Sequence, residues 1–88
     1  MTSWAQSRRL DYIDWCIATA GEFERDSAAR LFEVSPSIIS GDLTLFQSLY
    51  PDAITYDKSA KRYVPANARY RRQRNGAWTK AIDWSAAE

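Results

Sequence analysis

The side chains in this sequence best suited to chemistry are its cations, which gather in the last third of the chain. Residues 58–88 carry eight basic and two acidic side chains, a net charge of +6, whereas residues 1–57 carry four basic and nine acidic ones, a net charge of −5. The formal charge of +1 for the whole chain conceals this split. The asymmetry predicts one surface that attracts a polyanion.

Catalytic and metal-binding chemistry finds little support in the residue types. The chain has no histidine, the commonest general base and metal ligand. Asp11 and Asp14 are three residues apart on a predicted helix and could hold a cation, but such a pair is more typical of a solvated helix face. Cys16, the single cysteine, stands among apolar residues and is interpreted as a buried small hydrophobe. The sequence therefore predicts no enzyme, no metal site and no cofactor.

Length and composition restrict the class of protein. A chain of 88 residues with 45% hydrophobic side chains suits one small domain with a packed core. No apolar run approaches the ~20 residues that span a membrane. The first residues, MTSWAQSRRLDY, lack the basic-then-apolar order of a secretory signal. We therefore expect a cytoplasmic protein without a membrane partner.

The first predicted helix is delimited at both ends. Ser3 with Gln6 has the form of a capping box, and Gly21 stands where glycine commonly ends a helix. Apolar side chains recur between them at helical spacing. They are Leu10, Ile13, Ile17 and Ala20.

Two more helices and a hairpin are predicted to follow. The second helix covers residues 24–32, and the third covers Pro36–Leu49 because Ser35 is a favourable N-cap and Pro36 suits the first helical position. Two short β-type runs, residues 54–56 and 62–64, flank a polar connector of hairpin length.

This order of elements predicts the α+β fold of a winged helix-turn-helix domain, in which three helices precede a two-stranded wing. The domain is assigned to residues 1–64. Residues 65–88 form a basic, tryptophan-containing extension, interpreted as a short helix or an ordered arm.

In a helix-turn-helix domain the outer face of the third helix enters the major groove of DNA. If Ile39 points inward, helical geometry places Leu43 and Phe46 within about 40° of it on the same face. The candidate DNA contacts on and beside the opposite face are Ser35, Ser37, Ile38, Ser40, Gly41 and Thr44. None of these side chains can make the bidentate contacts that distinguish guanine or adenine.

Gly41 disfavours a helix interior by about 1 kcal/mol relative to alanine and therefore needs an explanation. Two are open at this point. The glycine lets the helix backbone approach DNA closely, or it lets the second and third helices pack tightly.

The predicted phosphate contacts lie outside the third helix. Those of the wing are Lys58, Ser59, Lys61 and Arg62, and those of the basic run after it are Arg69, Arg71, Arg72 and Arg74. Such contacts supply affinity and salt dependence but little sequence information. The alternative for the basic run is a solvated terminal segment.

The aromatic residues exceed what a three-helix core of this size readily buries. Core packing accounts for part of them, and a dimer face or a docked C-terminal arm for the rest. The candidates for the dimer face are Trp4, Tyr12, Trp15, Trp78 and Trp84.

Five features carry a resemblance to a known family. They are Arg9-Leu10 with Ile13, residues 21–25 (GEFER), residues 31–35 (LFEVS), Asp42-Leu43 and residues 56–64 (YDKSAKRYV). The last string is the most specific because it includes both strands and the tip of the wing. On these features, residues 8–64 resemble the N-terminal winged helix-turn-helix domain of WYL-type bacterial transcriptional regulators. The most similar group is the regulators beside phage-defence gene clusters of the BREX and CBASS kind.

The resemblance implies a homodimeric repressor that binds inverted repeats in double-stranded DNA and is found with the nucleoid. Members of the family continue into a WYL domain and a C-terminal domain, whereas this sequence ends at Glu88, so no small-molecule ligand is inferred. Winged-helix relatives often carry basic residues where Ser40 and Gly41 stand, which lowers the expected strength of base recognition. The alternative function is a small protein-interaction or inhibitor module on the same fold, encoded by a phage or mobile element.

Overall fold

The first helix of the structure, a computed structural model that describes residues 3–74, is α1 (Trp4–Ala20). The predicted capping signals operate at both of its ends. The Ser3 hydroxyl accepts a hydrogen bond from the backbone N–H of Gln6 at 3.1 Å. Gly21 takes the left-handed conformation, with φ of 73°, that glycine adopts without steric strain.

Helices α2 (Arg25–Phe32) and α3 (Pro36–Leu49) form the helix-turn-helix pair. The bounds of α3 are those predicted, whereas α2 begins one residue later. Ser35 occupies the N-cap position of α3, but the expected side-chain cap is wrong, because its hydroxyl makes no capping hydrogen bond. Pro36 begins the helix without the loss of a needed N–H donor.

Strands β1 (Ile54–Asp57) and β2 (Arg62–Pro65) form the antiparallel wing, each one residue longer than predicted. The connecting loop is ordered by the Asp57 carboxylate, which accepts the N–H groups of Ser59 and Ala60 at 2.9 and 3.2 Å. Three helices followed by a two-stranded hairpin confirm the predicted winged helix-turn-helix fold.

The hydrophobic core lies between the three helices and the base of the wing. Ile39, Leu43 and Phe46 are its α3 members, as the helical periodicity predicts. Leu10, Ile13 and Ile17 are the largest members from α1. None of the helices within residues 3–74 has the length and apolar character to cross a membrane.

A buried ion pair attaches α3 to α1. Asp42 of α3 is 1% exposed, and its carboxylate accepts the Nε of Arg9 at 2.5 Å and the side-chain amide of Gln6 at 3.1 Å. Both donors belong to α1. The ion pair therefore fixes the position of α3 relative to the first helix, in addition to the apolar contacts.

After β2 the chain returns to α1. Ala66 donates its backbone N–H to the carbonyl of Ala53 at 2.9 Å, and Tyr70 packs against the core. Residues 70–74 then lie on α1 beside Asp11 and Asp14. The expectation that these two carboxylates form a solvated face is wrong, because both are buried. The predicted short helix or arm after residue 74 lies outside the described residues.

Candidate nucleic-acid interface

The outer face of α3 is open. Ser37, Ile38, Gly41 and Thr44 are all exposed, with Ile38 43% exposed despite its apolar side chain. Ser35, just before the helix, is exposed as well. Ser40, the remaining predicted contact, is half-buried. The structure therefore leaves the other predicted third-helix residues accessible, while the opposite face of the same helix is buried in the core.

Gly41 has free space around it. A Cβ placed on this residue would meet no heavy atom within 4 Å beyond its own helix and chain neighbours. The alternative that Gly41 is required for close packing of α2 against α3 is therefore wrong. Of the two explanations drawn from the sequence, close approach of an external partner to the backbone remains.

The outer face offers small polar groups and methyl groups. The Thr44 hydroxyl donates to the carbonyl of Ser40 one turn earlier at 3.1 Å, which leaves its oxygen as an acceptor and its methyl group exposed. Ile38 and the Thr44 methyl group are suited to contact with a thymine methyl. The serine hydroxyls are suited to hydrogen bonds with base edges or phosphates.

The wing presents its lysines at the tip. Lys58, Ser59 and Lys61 are exposed, and neither lysine forms an ion pair with any part of residues 3–74. Lys61 has a φ of 56°, which closes the loop in a left-handed conformation that a non-glycine residue adopts at some steric cost. Arg62, predicted as a fourth wing contact, is instead paired with Glu22.

A cleft joins the outer face of α3 to the wing. Its walls come from the first turn of α2, from α3 and from the hairpin. The lining residues are Glu24, Arg25, Asp26, Ser40, Tyr56, Lys61 and Tyr63. Ser40, at the edge of the outer face of α3, and Lys61 of the wing therefore line the same cleft.

Of the seven residues that line this cleft, only Ser40 and Lys61 are among the predicted DNA contacts. Arg25 and Tyr56 are two of those that the sequence prediction missed. The Arg25 guanidinium donates to the Ser40 hydroxyl at 3.4 Å and also pairs with Asp26 on the surface. An available signal was its place in the first turn of a helix, where the helix dipole disfavours a cation. The Tyr56 ring packs edge-on against Tyr63, at 5.0 Å between ring centroids, and is 47% exposed.

The basic run after the wing divides into two pairs of arginines. Arg69 and Arg71 are exposed. Arg72 pairs with Asp14 at 3.3 Å, and Arg74 pairs with Asp11 at 2.5 Å. The structure therefore does not hold the four arginines on one common free surface.

Burial and charge fix the protonation of the groups around these aspartates. Burial, followed by the hydrogen bond to Asp14 and the negative charge of that carboxylate, raises the pKa of Tyr70 far above its ordinary value. Its hydroxyl therefore remains a donor. Burial, the largest single cause, would lower the pKa of Arg74, but the hydrogen bonds and charges of Asp11 and Tyr50 together outweigh it and raise that pKa.

The aromatic candidates for a dimer face separate in the same way. Trp4 is 76% exposed, with the Arg8 guanidinium 5.3 Å from its ring centroid. Tyr12 and Trp15 stack at 6.0 Å and pack against the core. Trp78 and Trp84 lie outside the described residues.

The fold also determines whether metal ligands are grouped together and whether the thiol is reactive. Within residues 3–74, no group of three or more potential ligands could hold a metal ion. Cys16 is buried, as predicted, and burial raises its pKa to about 11 despite a hydrogen bond with Tyr12 that acts in the other direction. The thiol is therefore protonated near neutral pH.

The three helices, the wing and the exposed outer face of α3 define a winged helix-turn-helix domain. Residues 5–84 match the model of one such family, the winged helix-turn-helix domain of the BrxR transcriptional regulator. The chain belongs to that family. The match confirms the resemblance to regulators of phage-defence gene clusters that the sequence motifs indicate.

Full-length relatives share part of the chain. It is 37% identical over 60 residues to the DNA-binding transcriptional repressor CapW of Escherichia coli strain KTE188, which covers 68% of this chain and 20% of that protein. It is 34% identical over 61 residues to CapW of Stenotrophomonas maltophilia, covering 69% and 20%. The chain thus spans about a fifth of the length of the known relatives that it matches.

Proposed function

We propose that this protein is a sequence-specific DNA-binding transcriptional regulator that acts as a repressor. The observation that carries the proposal is the exposed outer face of α3, together with the cleft that Ser40 of this helix and Lys61 of the wing both line. The relatives named DNA-binding transcriptional repressors support the same function. The proposed function requires no catalytic step and no cofactor, and it associates the protein with the nucleoid.

In the proposed complex α3 lies in the major groove and the wing lies along the phosphate backbone. Gly41 and its small neighbours let the helix backbone approach the base edges. Lys58 and Lys61 bind phosphates at the tip of the wing, and Arg25 binds a phosphate at the start of α2. Arg69 and Arg71 extend the backbone contacts beyond the wing.

If the wing binds phosphates and α3 binds bases, the salt dependence of DNA binding depends mainly on the wing. Contacts to phosphate release counterions, so the logarithm of the binding constant falls with the logarithm of salt concentration by about 0.9 per phosphate neutralised. Contacts of the outer face discriminate among sequences instead. Because that face carries no charged or amide side chain at its centre, its discrimination comes from hydroxyl groups, methyl groups and close fit.

We further propose that the protein acts as a homodimer. Repressors of this kind place two recognition helices about one DNA turn apart, so each copy contacts one half of an inverted repeat. The exposed Trp4 supports a contact between copies on α1. A DNA footprint of two half-sites is the expected result.

The experiment is a fluorescence anisotropy titration of labelled duplexes, random DNA and the upstream region of the protein's own gene, at about 50 and 200 mM salt. Tight binding to one duplex that persists at the higher salt is expected. If no duplex binds better than random DNA, sequence-specific regulation is excluded. The protein-interaction module then becomes the function to test.

Two variants separate the parts of the interface. Lys58→Ala combined with Lys61→Ala is expected to weaken binding to all duplexes alike and to reduce the salt slope by about 2, whereas Lys→Arg at both positions is expected to preserve it. Gly41→Gln is expected to weaken binding to the specific duplex and leave binding to random DNA unaffected, because Gly41 is exposed and a Cβ at this position meets no neighbouring atom of the fold. Equal loss on both duplexes from Gly41→Gln would place α3 outside the groove.

A further inference from the structure

A fully buried carboxylate on α1 forms hydrogen bonds with the segment that follows the wing. Asp14 is 0% exposed. It accepts the Tyr70 hydroxyl at 2.7 Å, the Gln73 N–H at 3.0 Å and the Arg74 N–H at 2.7 Å. Arg72 adds an ion pair through its Nε at 3.3 Å. Every one of these donors comes from residues 70–74.

A second carboxylate one turn earlier continues the same contact. Asp11 accepts the Nε of Arg74 at 2.5 Å, and the guanidinium of Arg74 also donates to the Ser7 hydroxyl at 2.8 Å. Residues 70–74 therefore run along α1 from its middle toward its N-terminus. Asp14 accepts the hydrogen bonds of the segment up to the Arg74 N–H, and the side chain of Arg74 alone reaches the two positions one and two turns further back.

The burial of these carboxylates depends on the segment. A buried carboxylate is unfavourable unless charged or polar donors compensate for the lost hydration, and the compensation here is charge-assisted. Without residues 70–74, Asp14 and Asp11 would lose all of the partners just described. Docking of the segment and burial of the two aspartates are therefore a single event.

The same contacts compete with a nucleic acid for the arginines. A phosphate that recruited Arg72 or Arg74 would have to draw it from a carboxylate that is 8% exposed or less. Arg69 and Arg71 are under no such restraint, because they are exposed and form no ion pair within residues 3–74.

The location of the contact gives it a second consequence. The helix that holds the segment through Asp11 and Asp14 is also the helix that holds α3 through Arg9 and Asp42. The docked segment and the proposed recognition helix are thus both attached to α1.

We propose that Asp11 and Asp14 form an intramolecular latch for residues 70–74, which withholds Arg72 and Arg74 from nucleic acid until it is released. The latch itself is a property of the free protein, and only the effect of its release rests on the proposed function. Release adds two cations to the DNA-binding surface.

The first test measures amide hydrogen exchange in the free protein. Asp14→Asn keeps the shape of the side chain but removes its charge, and Asp52→Asn makes the same change of charge at an exposed position. We expect Asp14→Asn to accelerate exchange of the Gln73 and Arg74 amides by about tenfold or more while the Phe46 amide is unaffected. Unchanged exchange at Gln73 and Arg74 in this variant would overturn the latch.

The second test measures salt-dependent binding to random DNA. Asp14→Asn removes the ion-pair partner of Arg72 and leaves the ion pair of Arg74 with Asp11 in place. One released arginine is therefore expected to steepen the salt slope by about 0.9 relative to Asp52→Asn. Accelerated exchange with equal slopes, or no binding by either variant, would overturn the withholding of Arg72. Wild-type binding to the specific duplex is scored separately, so loss of the proposed function is distinguished from loss of the latch.

A milder variant covers the case in which Asp14→Asn does not fold. Tyr70→Phe removes one donor to Asp14 and retains the ring that packs against the core. Its expected effect is a smaller acceleration at the same two amides. Exchange equal to that of the wild type would show that the Tyr70 hydroxyl does not hold the segment, and the latch would fail.

Discussion

At the residue scale, the two described glycines stand in open space and differ in backbone conformation. Neither would bring a Cβ within 4 Å of a neighbour, but Gly21 has a φ of 73° and Gly41 lies within α3. We expect Gly41→Ala to raise the free energy of unfolding by about 0.5–1 kcal/mol, because alanine is the better helix former. Gly21→Ala is expected to lower it by about 1 kcal/mol, because alanine is strained at positive φ.

Urea denaturation followed by circular dichroism measures both changes. The opposite signs are the point of the comparison, since each variant adds one methyl group to an uncrowded site. A Gly41→Ala variant that is less stable than the wild type would restore the packing explanation for this glycine. A neutral or stabilising Gly21→Ala would contradict the role of glycine at the end of α1.

At the element scale, the junction of α1 and α3 depends on a charged contact inside the domain. Asp42→Ala leaves Arg9, whose side chain is 15% exposed, without its carboxylate. We expect a loss of about 3 kcal/mol in the free energy of unfolding, as is typical when one partner of a buried pair is removed. Urea denaturation gives the value.

A double variant tests whether the loss comes from the orphaned charge. Arg9→Met combined with Asp42→Leu replaces the ion pair by apolar side chains. This double variant is expected to regain most of the lost free energy of unfolding, because a buried ion pair rarely stabilises a protein more than apolar side chains of similar volume do. If the double variant is as unstable as Asp42→Ala, the loss comes instead from the hydrogen-bonded arrangement of α1 and α3 that the pair maintains. A single variant that loses less than about 1 kcal/mol would show that the pair contributes little.

The elements themselves were predictable because their signals are local. Ser3 with Gln6, Gly21 and Pro36 each act within one helical turn, and the structure uses them as expected. The inward face of α3 followed from helical periodicity alone. The prediction that failed at this scale is the solvated environment expected for Asp11 and Asp14.

The partners of these aspartates were not predictable from spacing. Asp14 meets donors 56 to 60 residues away, and periodicity on α1 contains no information about a segment so distant in sequence. The two carboxylates therefore look like a solvated pair. The one available signal was the reciprocal excess of arginines after the wing and of acids before it, which predicts attraction but no particular contact.

At the scale of the whole molecule, the basic side chains that follow residue 57 lie in two different environments. Part of the positive excess faces outward at Lys58, Lys61, Arg69 and Arg71, and part is neutralised within the domain by Asp11 and Asp14. Net charge by region therefore overstates the positive surface available to DNA. The domain uses one basic segment both for cohesion and, as proposed, for contact with phosphate.

The two arginine pairs of this segment allow a comparison at equal charge. One double variant combines Arg69→Ala with Arg71→Ala, and the other combines Arg72→Ala with Arg74→Ala. Each removes two positive charges from the same six residues of the chain. We expect the first pair to leave the free energy of unfolding within about 0.5 kcal/mol of the wild type and to flatten the salt slope on random DNA by about 1–2. The second pair removes the cations that face two buried carboxylates and is expected to lower the free energy of unfolding by about 3–5 kcal/mol. Urea denaturation and anisotropy titration of both variants provide the numbers. If the two pairs destabilise equally, the buried aspartates do not distinguish them, and if Arg69 and Arg71 leave the salt slope unchanged, the DNA-binding surface ends at the wing.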